Sequence, residues 1–243
     1  MPTGNDDKSL DRFLEVVHSN QPINRARFPA QYQIIQRIDK CFVTVGKHLS
    51  YQKPVLVGPM FLRSQYAYKT SAGMTLAGQV AESFVMMRSC LEYAGYALAM
   101  YADPRLENTP SREEVFVNRN VDEASLKAQK AEFQVGKIRG MIAAFDEKLA
   151  ANFKLLYDRS IDYGGHPNPY GVLTGMNMET KDENLISITT LALTNDPIIT
   201  MFAMKSVAQV GLCSLYIFQH MFEAKLELLG IRAEMNALRR TGL

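Results

Sequence analysis

One short stretch of the chain gathers the residue types that could do chemistry. It runs from Leu156 to Gly171 and holds an arginine, Arg159, and a histidine, His166, among acids and tyrosines. An imidazole has an unperturbed pKa near 6.5, so it can accept and donate a proton at neutral pH. A guanidinium presents a planar fork of donors that suits phosphate oxygens. We therefore take Arg159 and His166 as the candidate catalytic residues, with phosphate binding and proton transfer as the candidate chemistry.

The spacing of this pair is compatible with two arrangements. His166 lies seven positions after Arg159, which on an α-helix is about 700° of rotation and roughly 10 Å of rise. On a continuous helix both side chains would then share a face. The pair Gly164-Gly165 before the histidine and Pro167 after it favour a helix end here instead. In that arrangement a loop would place His166.

The stretch Arg159-Ser-Ile-Asp-Tyr-Gly-Gly-His166 resembles the Arg-x4–6-His motif of the HEPN superfamily, whose members are helical bundles. The motif lies late in a long helical pattern, as it does in the nucleases of that superfamily. The resemblance implies metal-independent RNA cleavage at a dimer interface. In that role His166 would act as the general acid and base, and Arg159 would hold the scissile phosphate.

Two other roles fit the same residues. In a purely structural one, Arg159 would pair with Asp158, Asp162 or a neighbouring helix, and His166 would bond a backbone carbonyl group at a capped helix end. In the other, the stretch is a binding site without catalysis. The candidate binding residues in this stretch are Tyr163, Asn168 and Tyr170.

Arg88 and Glu92 lie four residues apart in the most apolar helical stretch of the chain. An unpaired charge in such a helix is costly, so the spacing predicts an ion pair. The functional alternative is that both line a polar pocket facing Arg159 and His166. They are therefore also candidate binding residues.

Several function classes lack the motifs they need. No two histidines fall three or four residues apart, so we predict no metal site. The phosphate-binding loop, the dinucleotide-binding glycine pattern and the G-x-S-x-G elbow do not occur, so we predict no cofactor. We also find no DNA-binding motif. A net charge of +2 gives no broad field, so any contact with RNA or a nucleotide must be local.

The compartment is predicted from the cysteines and the first residues. The three cysteines lie far apart without C-x-x-C spacing, which favours a reducing environment. Residues 1–9 carry no apolar segment of the signal-peptide type. The two most apolar stretches, 84–101 and 206–222, contain polar or charged residues and are better explained as core helices than as membrane spans. We therefore predict a cytoplasmic protein that does not enter a membrane.

Apolar residues at three- and four-residue steps predict the helices that position these groups. We expect a short helix after residue 9, a linker over 22–29, and helices over 29–48, 60–102, 122–163 and 197–229. Gly73 and Gly78 would permit a break in the second of the long stretches. The part after residue 84, apolar on nearly every side, is expected at the centre of the bundle.

The remaining segments complete a single domain over residues 1–243. Residues 1–8 are expected to be disordered, and 103–121 to form a polar excursion. The β-branched runs within 171–193 predict a two-stranded β-hairpin. The fold class is thus mainly α, a bundle of four to five helices with a small hairpin before the last long helix.

Three functions remain open at this point. The first is binding of a protein partner, a nucleotide or RNA by a homodimer, since the apolar helix faces exceed what one chain is expected to cover. The second is a HEPN-type endoribonuclease using Arg159 and His166. The third is a small-molecule sensor with a pocket near Tyr93, Tyr163 and Tyr170.

Overall fold

The computed structural model describes residues 9–50, 54–104, 133–165, 176–182, 185–190 and 193–242. Within these ranges the chain forms eight α-helices packed as a bundle, which confirms the mainly helical fold. The helices are α1 (Leu10–Arg27), α2 (Pro29–Lys47), α3 (Val57–Ala77), α4 (Val80–Ala102), α5 (Val135–Phe145), α6 (Glu147–Ser160), α7 (Pro197–Leu228) and α8 (Ile231–Arg239). The segments 1–8 and 105–121, for which disorder and a polar excursion are predicted, lie outside the described residues.

Two short strands accompany the helices. Strand β1 (Met176–Asp182) pairs antiparallel with β2 (Leu185–Thr190), and the register shifts between Thr180 and Asp182. Both strands lie inside the range 171–193, where the sequence predicts a hairpin. Residues 171–175 and 191–192 lie outside the described part of the chain.

The first helix is longer than predicted. The linker expected over 22–29 is wrong, because α1 continues through Pro22 to Arg27. Proline inside a helix costs about 3 kcal/mol, and tertiary contacts offset that cost here. Side-chain amides of Asn20 and Asn24 donate to the carbonyl oxygens of Ala77 and Leu76 at 2.9 Å each. These carbonyls are among the last of α3, so α1 caps the end of α3 while α3 holds α1 in place.

The stretch predicted over 60–102 consists of two helices. α3 ends at Gly78, whose φ of 91° is the left-handed conformation that glycine adopts readily. The Gly78 carbonyl accepts a hydrogen bond from the Thr194 amide at 2.9 Å. A chain segment that is remote in sequence therefore fixes the turn between α3 and α4.

The predicted helix over 122–163 is also divided. Residues 122–132 lie outside the described part; from Val135 onward α5 and α6 are separated at Asp146, which has extended backbone angles. The Asp146 carboxylate accepts from the Leu149 amide at 3.0 Å. The continuous helix is therefore wrong, because an aspartate that can cap a new helix competes with continuation of the old one.

The last predicted helix is confirmed in its main part. The Asp196 carboxylate accepts from the amides of Ile198 and Ile199, and Pro197 is the first residue of α7. After Gly230, in the left-handed conformation at a φ of 69°, the chain forms α8, which sequence analysis missed. Its apolar residues Ile231, Met235 and Leu238 are buried.

Helix α4 lies at the centre of the bundle, as its composition predicts. It packs against α3, α5, α6 and α7, and its side chains Phe84, Met87 and Leu91 are fully buried. Among the described helices, α7 is long and apolar enough to cross a membrane by length and composition alone, yet 67% of its most apolar window is buried in the bundle.

Candidate functional site

Arg159 lies in the last turn of α6, on the side that faces α7. Phe153 and Leu156, at helical spacing before it, are buried in the core. Arg159 follows Leu156 by three residues and therefore lies on the same inward side of α6. Because Arg159 lies at the end of the helix, it is half-buried and not fully buried.

Neutral groups hold the Arg159 guanidinium. Its Nη1 donates to the Ser206 hydroxyl at 3.3 Å and to Gln209 Oε1 at 2.7 Å. The guanidinium carbon lies 5.4 Å from the centroid of the Phe202 ring. Within the described residues no carboxylate forms an ion pair with Arg159; the adjacent Asp158 pairs with Lys154. The positive charge is therefore oriented but not matched by a described anion.

A π-helical turn, Ile161–Gly165, follows α6 directly. Tyr163 in this turn packs between Phe84 and Phe202, with ring centroids 5.4 and 5.1 Å away. A Cβ atom on Gly164 would lie only 1.9 Å from the Ala81 carbonyl oxygen. Glycine is therefore required here for close approach to α4, and this approach fixes the direction of the chain after Arg159.

The same-face arrangement of Arg159 and His166 on one continuous α-helix is wrong. That arrangement needs an α-helix, with 3.6 residues per turn, as far as position 166. The α-helix instead ends at Ser160, and the π turn that follows has more residues per turn. The candidate residues His166, Asn168 and Tyr170 lie outside the described part of the chain. Their approach to Arg159 stays a prediction.

Arg88 and Glu92 form the predicted ion pair, with Nε and Oε1 2.8 Å apart. Tyr157 joins it: its hydroxyl donates to Glu92 at 3.0 Å and its ring lies 5.3 Å from the Arg88 guanidinium carbon. Burial, and then the nearby Glu92 charge, raise the pKa of Tyr157 to about 12. The carboxylate thus receives two donors and neutralises the arginine.

No hydrogen bond or ion pair of the described residues joins this cluster to Arg159. Tyr157 and Arg159 are two positions apart on α6, and residues at that spacing do not face each other on a helix. The structure therefore places Arg88 and Glu92 beside Tyr157, and Arg159 beside α7. Tyr163 lies with Arg159 on the Phe202 side.

Sequence analysis missed the α7 contribution to the site. Phe202, Ser206 and Gln209 are spaced by four and three residues, which puts them on one stripe of a helix. Two polar residues on one stripe of an otherwise apolar helix are a detectable signal. Their partner on α6 could not be identified from that signal alone.

Sequence analysis also missed a polar cleft of about 470 Å³, located between the start of α6, the middle of α7 and α8. The cleft is separate from Arg159 but adjoins it, since Gln209 belongs to both. Its lining residues are Asp146, Lys148, Leu149, Asn152, Gln209, Leu212, Cys213, Tyr216, Gln219, His220, Arg232, Asn236 and Arg239.

Metal-binding chemistry has no cluster to support it in the described ranges. There, no group of three or more histidine, cysteine, aspartate or glutamate side chains could hold a metal ion. All three cysteines are buried free thiols, and burial raises the pKa of the Cys90 thiol to about 11. Such thiols are poor nucleophiles at neutral pH.

Comparison with known proteins gives this chain no relative: no family model, no curated protein and no solved structure matches it.

Proposed function

We propose that this protein binds a phosphate-bearing ligand, a nucleotide or RNA, and that Arg159 contacts the phosphate. The observation that supports the proposal is the partner set of Arg159. A half-buried guanidinium with a serine and an amide as its hydrogen-bond partners keeps its charge for an external anion. Charge-assisted hydrogen bonds from arginine to phosphate are roughly twice as strong as neutral ones.

The orientation of the guanidinium supports the same role. Ser206 and Gln209 both accept hydrogen bonds from Nη1, and the guanidinium carbon lies over the Phe202 ring. The donors on Nε and Nη2 have no acceptor among the described residues, so they are available for a bidentate contact. Because packing has already ordered the side chain, less entropy is lost when the ligand binds.

The competing role is structural. Arg159 lies at the carboxyl end of α6, where the helix dipole favours a cation by about 0.3–1 kcal/mol. A helix-end cation of this kind would affect stability but not ligand binding. Ligand binding and stability must therefore be measured on the same variant.

Fluorescence anisotropy with a short, labelled, unstructured RNA tests the proposal. Arg159→Gln should weaken binding about tenfold and reduce the salt dependence by about one phosphate contact. Arg12→Gln is the matched control, since Arg12 pairs with Glu15 on the exposed side of α1. Equal affinity for the wild type and Arg159→Gln, or no binding by the wild type, would exclude an Arg159 phosphate site.

A HEPN-type endoribonuclease is the second candidate. It is favoured because the π turn, which packs closely on α4 directly after Arg159, ends at Gly165, one residue before His166 in the sequence. The test is cleavage of unstructured RNA in EDTA. Activity that disappears in both His166→Ala and Arg159→Gln supports a nuclease, whereas activity that survives in His166→Ala eliminates it.

We also propose a homodimer in the cytoplasm. Large apolar side chains are exposed on several helices, among them Leu14 on α1, Ile198 on α7 and Leu228 at the end of α7. A second copy of the chain packed on these side chains would remove them from water. Light scattering after gel filtration would show twice the mass of the chain, and a monomer at micromolar concentration would contradict the proposal.

A further inference from the structure

The polar cleft between α6, α7 and α8 has the features of a ligand site of its own. Its volume of about 470 Å³ falls in the range of small-molecule sites, about 300–1,000 Å³. Few lining residues are apolar, so the cleft does not suit an aromatic or aliphatic ligand. The lining instead offers side-chain amides from all three helices, with the cations Arg232 and Arg239 on the wall formed by α8 and Lys148 on α6.

The cations come from two helices. Lys148 is in the first turn of α6, and Arg232 and Arg239 lie on α8. The one carboxylate of the lining, Asp146, is engaged as the cap of α6. Glu223 and Glu227 pair with Arg232 at 3.6 and 3.4 Å. The charge available to a ligand therefore comes chiefly from Lys148 and Arg239.

The amphipathic pattern of α8 sets the position of this wall. Its buried residues Ile231, Met235 and Leu238 face the bundle, while Arg232, Asn236 and Arg239 each follow one of them and share the adjoining stripe, about 100° round the helix. The ion pair of Glu234 with Arg37 of α2, at 2.7 Å, ties the helix to the bundle. The cleft wall is thus built on a helix that is anchored independently of the cleft residues.

The amides supply donors and acceptors in fixed positions. Asn236 Oδ1 accepts from the Tyr216 hydroxyl at 3.2 Å, which orients the Asn236 NH₂ group. Arg239 interacts with the same hydroxyl. The Gln219 side-chain oxygen is buried and has no hydrogen-bond donor among the described residues. A buried acceptor without a donor is unfavourable, and rotation of the Gln219 amide toward a ligand hydroxyl would remove the penalty.

We infer that this cleft binds a sugar phosphate, with the phosphate on Arg239 and Lys148 and the hydroxyls on the amides. Mixed amide donors and acceptors suit hydroxyl groups, which are both donors and acceptors. Arginine and lysine suit the phosphate. The inference stands on residues other than Arg159, and it holds whether or not Arg159 binds a phosphate.

Isothermal titration with four probes tests the inference: glucose 6-phosphate, ribose 5-phosphate, inorganic phosphate and glucose. At least one sugar phosphate should bind at one site per chain, at least tenfold more tightly than phosphate or glucose, since each of these carries only half of the recognised groups. Phosphate binding as tightly as both sugar phosphates, or no binding of either up to about 10 mM, would overturn the inference.

Substitutions in α8 test whether the sugar phosphate binds in the cleft. Arg239→Gln should weaken sugar phosphate binding about tenfold or more, while Arg240→Gln, next to it but outside the lining, should leave it within twofold. Asn236→Ala is a second variant on the same wall. Its loss of affinity should be seen with the sugar phosphate and not with inorganic phosphate. Unchanged affinity in both Arg239→Gln and Asn236→Ala would refute the site.

Arg159→Gln separates this inference from the proposed function. It should weaken RNA binding about tenfold but reduce sugar phosphate affinity less than Arg239→Gln does, since Arg159 reaches the cleft only by holding Gln209. A tenfold loss in Arg159→Gln would mean that the sugar phosphate binds at Arg159, which would overturn the assignment to the cleft.

Discussion

Two arginines of this protein have almost the same packing and opposite partner sets. Arg88 on α4 and Arg159 on α6 are both half-buried, and each lies over an aromatic ring, at 5.3 and 5.4 Å. Arg88 pairs with a carboxylate, Glu92, which also accepts from Tyr157. Arg159 has a serine and a glutamine instead.

Burial and contact with an aromatic ring do not by themselves assign a role to an arginine. The charge of Arg88 is neutralised inside the fold, so the cluster contributes to stability and specificity of packing. The charge of Arg159 is held in position without neutralisation, which is the state a ligand-binding cation needs. Substitutions around Arg88 should therefore cost more stability than substitution of Arg159.

The largest effect is expected at the turn that follows Arg159. Gly164→Ala should destabilise the fold by about 3 kcal/mol, because the new methyl group would overlap the Ala81 carbonyl and the backbone of α4 cannot move away cheaply. Chemical denaturation measures the loss. Gly140→Ala is the control, since its Cβ would meet nothing within 4 Å, and it should be neutral or slightly stabilising. Equal stability of the two variants would show that the turn does not press on α4.

The second largest loss of stability is expected when Glu92, the carboxylate that pairs with Arg88, is changed. Glu92→Gln keeps the shape of the side chain but removes its charge, leaving the Arg88 charge uncompensated by Glu92. We expect a loss of about 2 kcal/mol, below the value for a fully buried pair because both side chains keep about a quarter of their exposure, 27% and 23%. The exposed pair of Arg12 and Glu15 is the control: Glu15→Gln should change stability by less than about 0.5 kcal/mol. A Glu92→Gln loss below about 0.5 kcal/mol would mean that the pair of Arg88 and Glu92 stabilises the fold no more than an exposed pair does.

A smaller effect and a pH dependence are expected at Tyr157. Tyr157→Phe removes a donor to Glu92 and should cost about 1 kcal/mol at neutral pH. The pKa of Tyr157 is raised from 10.0 to about 12, so the neutral phenol stabilises the folded state fully below pH 10, and this contribution is lost as pH rises towards 12. The stability difference between wild type and Tyr157→Phe should therefore shrink over that interval. A constant difference from neutral pH to pH 12 would contradict the raised pKa of Tyr157.

The smallest stability effect is expected at Arg159. Arg159→Gln loses a ring contact and a helix-end charge but leaves no buried charge behind, so the cost should stay below about 1 kcal/mol. The same variant should weaken RNA binding about tenfold. A stability loss as large as that of Glu92→Gln would make Arg159 a structural residue like Arg88 and would reverse the comparison.

Local signals in the sequence predicted much of the fold. The start of α2 at Pro29, the start of α7 at Pro197, and the pairing of Arg88 with Glu92 were all predicted correctly. Each depends on residues within one or two helical turns of each other, so nothing distant in sequence has to be known. The errors at Pro22 and Asp146 arose where two local signals competed or where contacts from another helix offset an unfavourable residue.

The sequence by itself determined that this is a helical bundle with an apolar central helix, because periodicity and composition act along the chain. It also marked Arg159 as a residue able to do chemistry. Only the tertiary structure decided that Arg159 meets Ser206 and Gln209, which are 47 and 50 positions away, and that α8 closes a polar cleft. Such partners are selected by the packing of whole helices, and packing depends on all the side chains at an interface together.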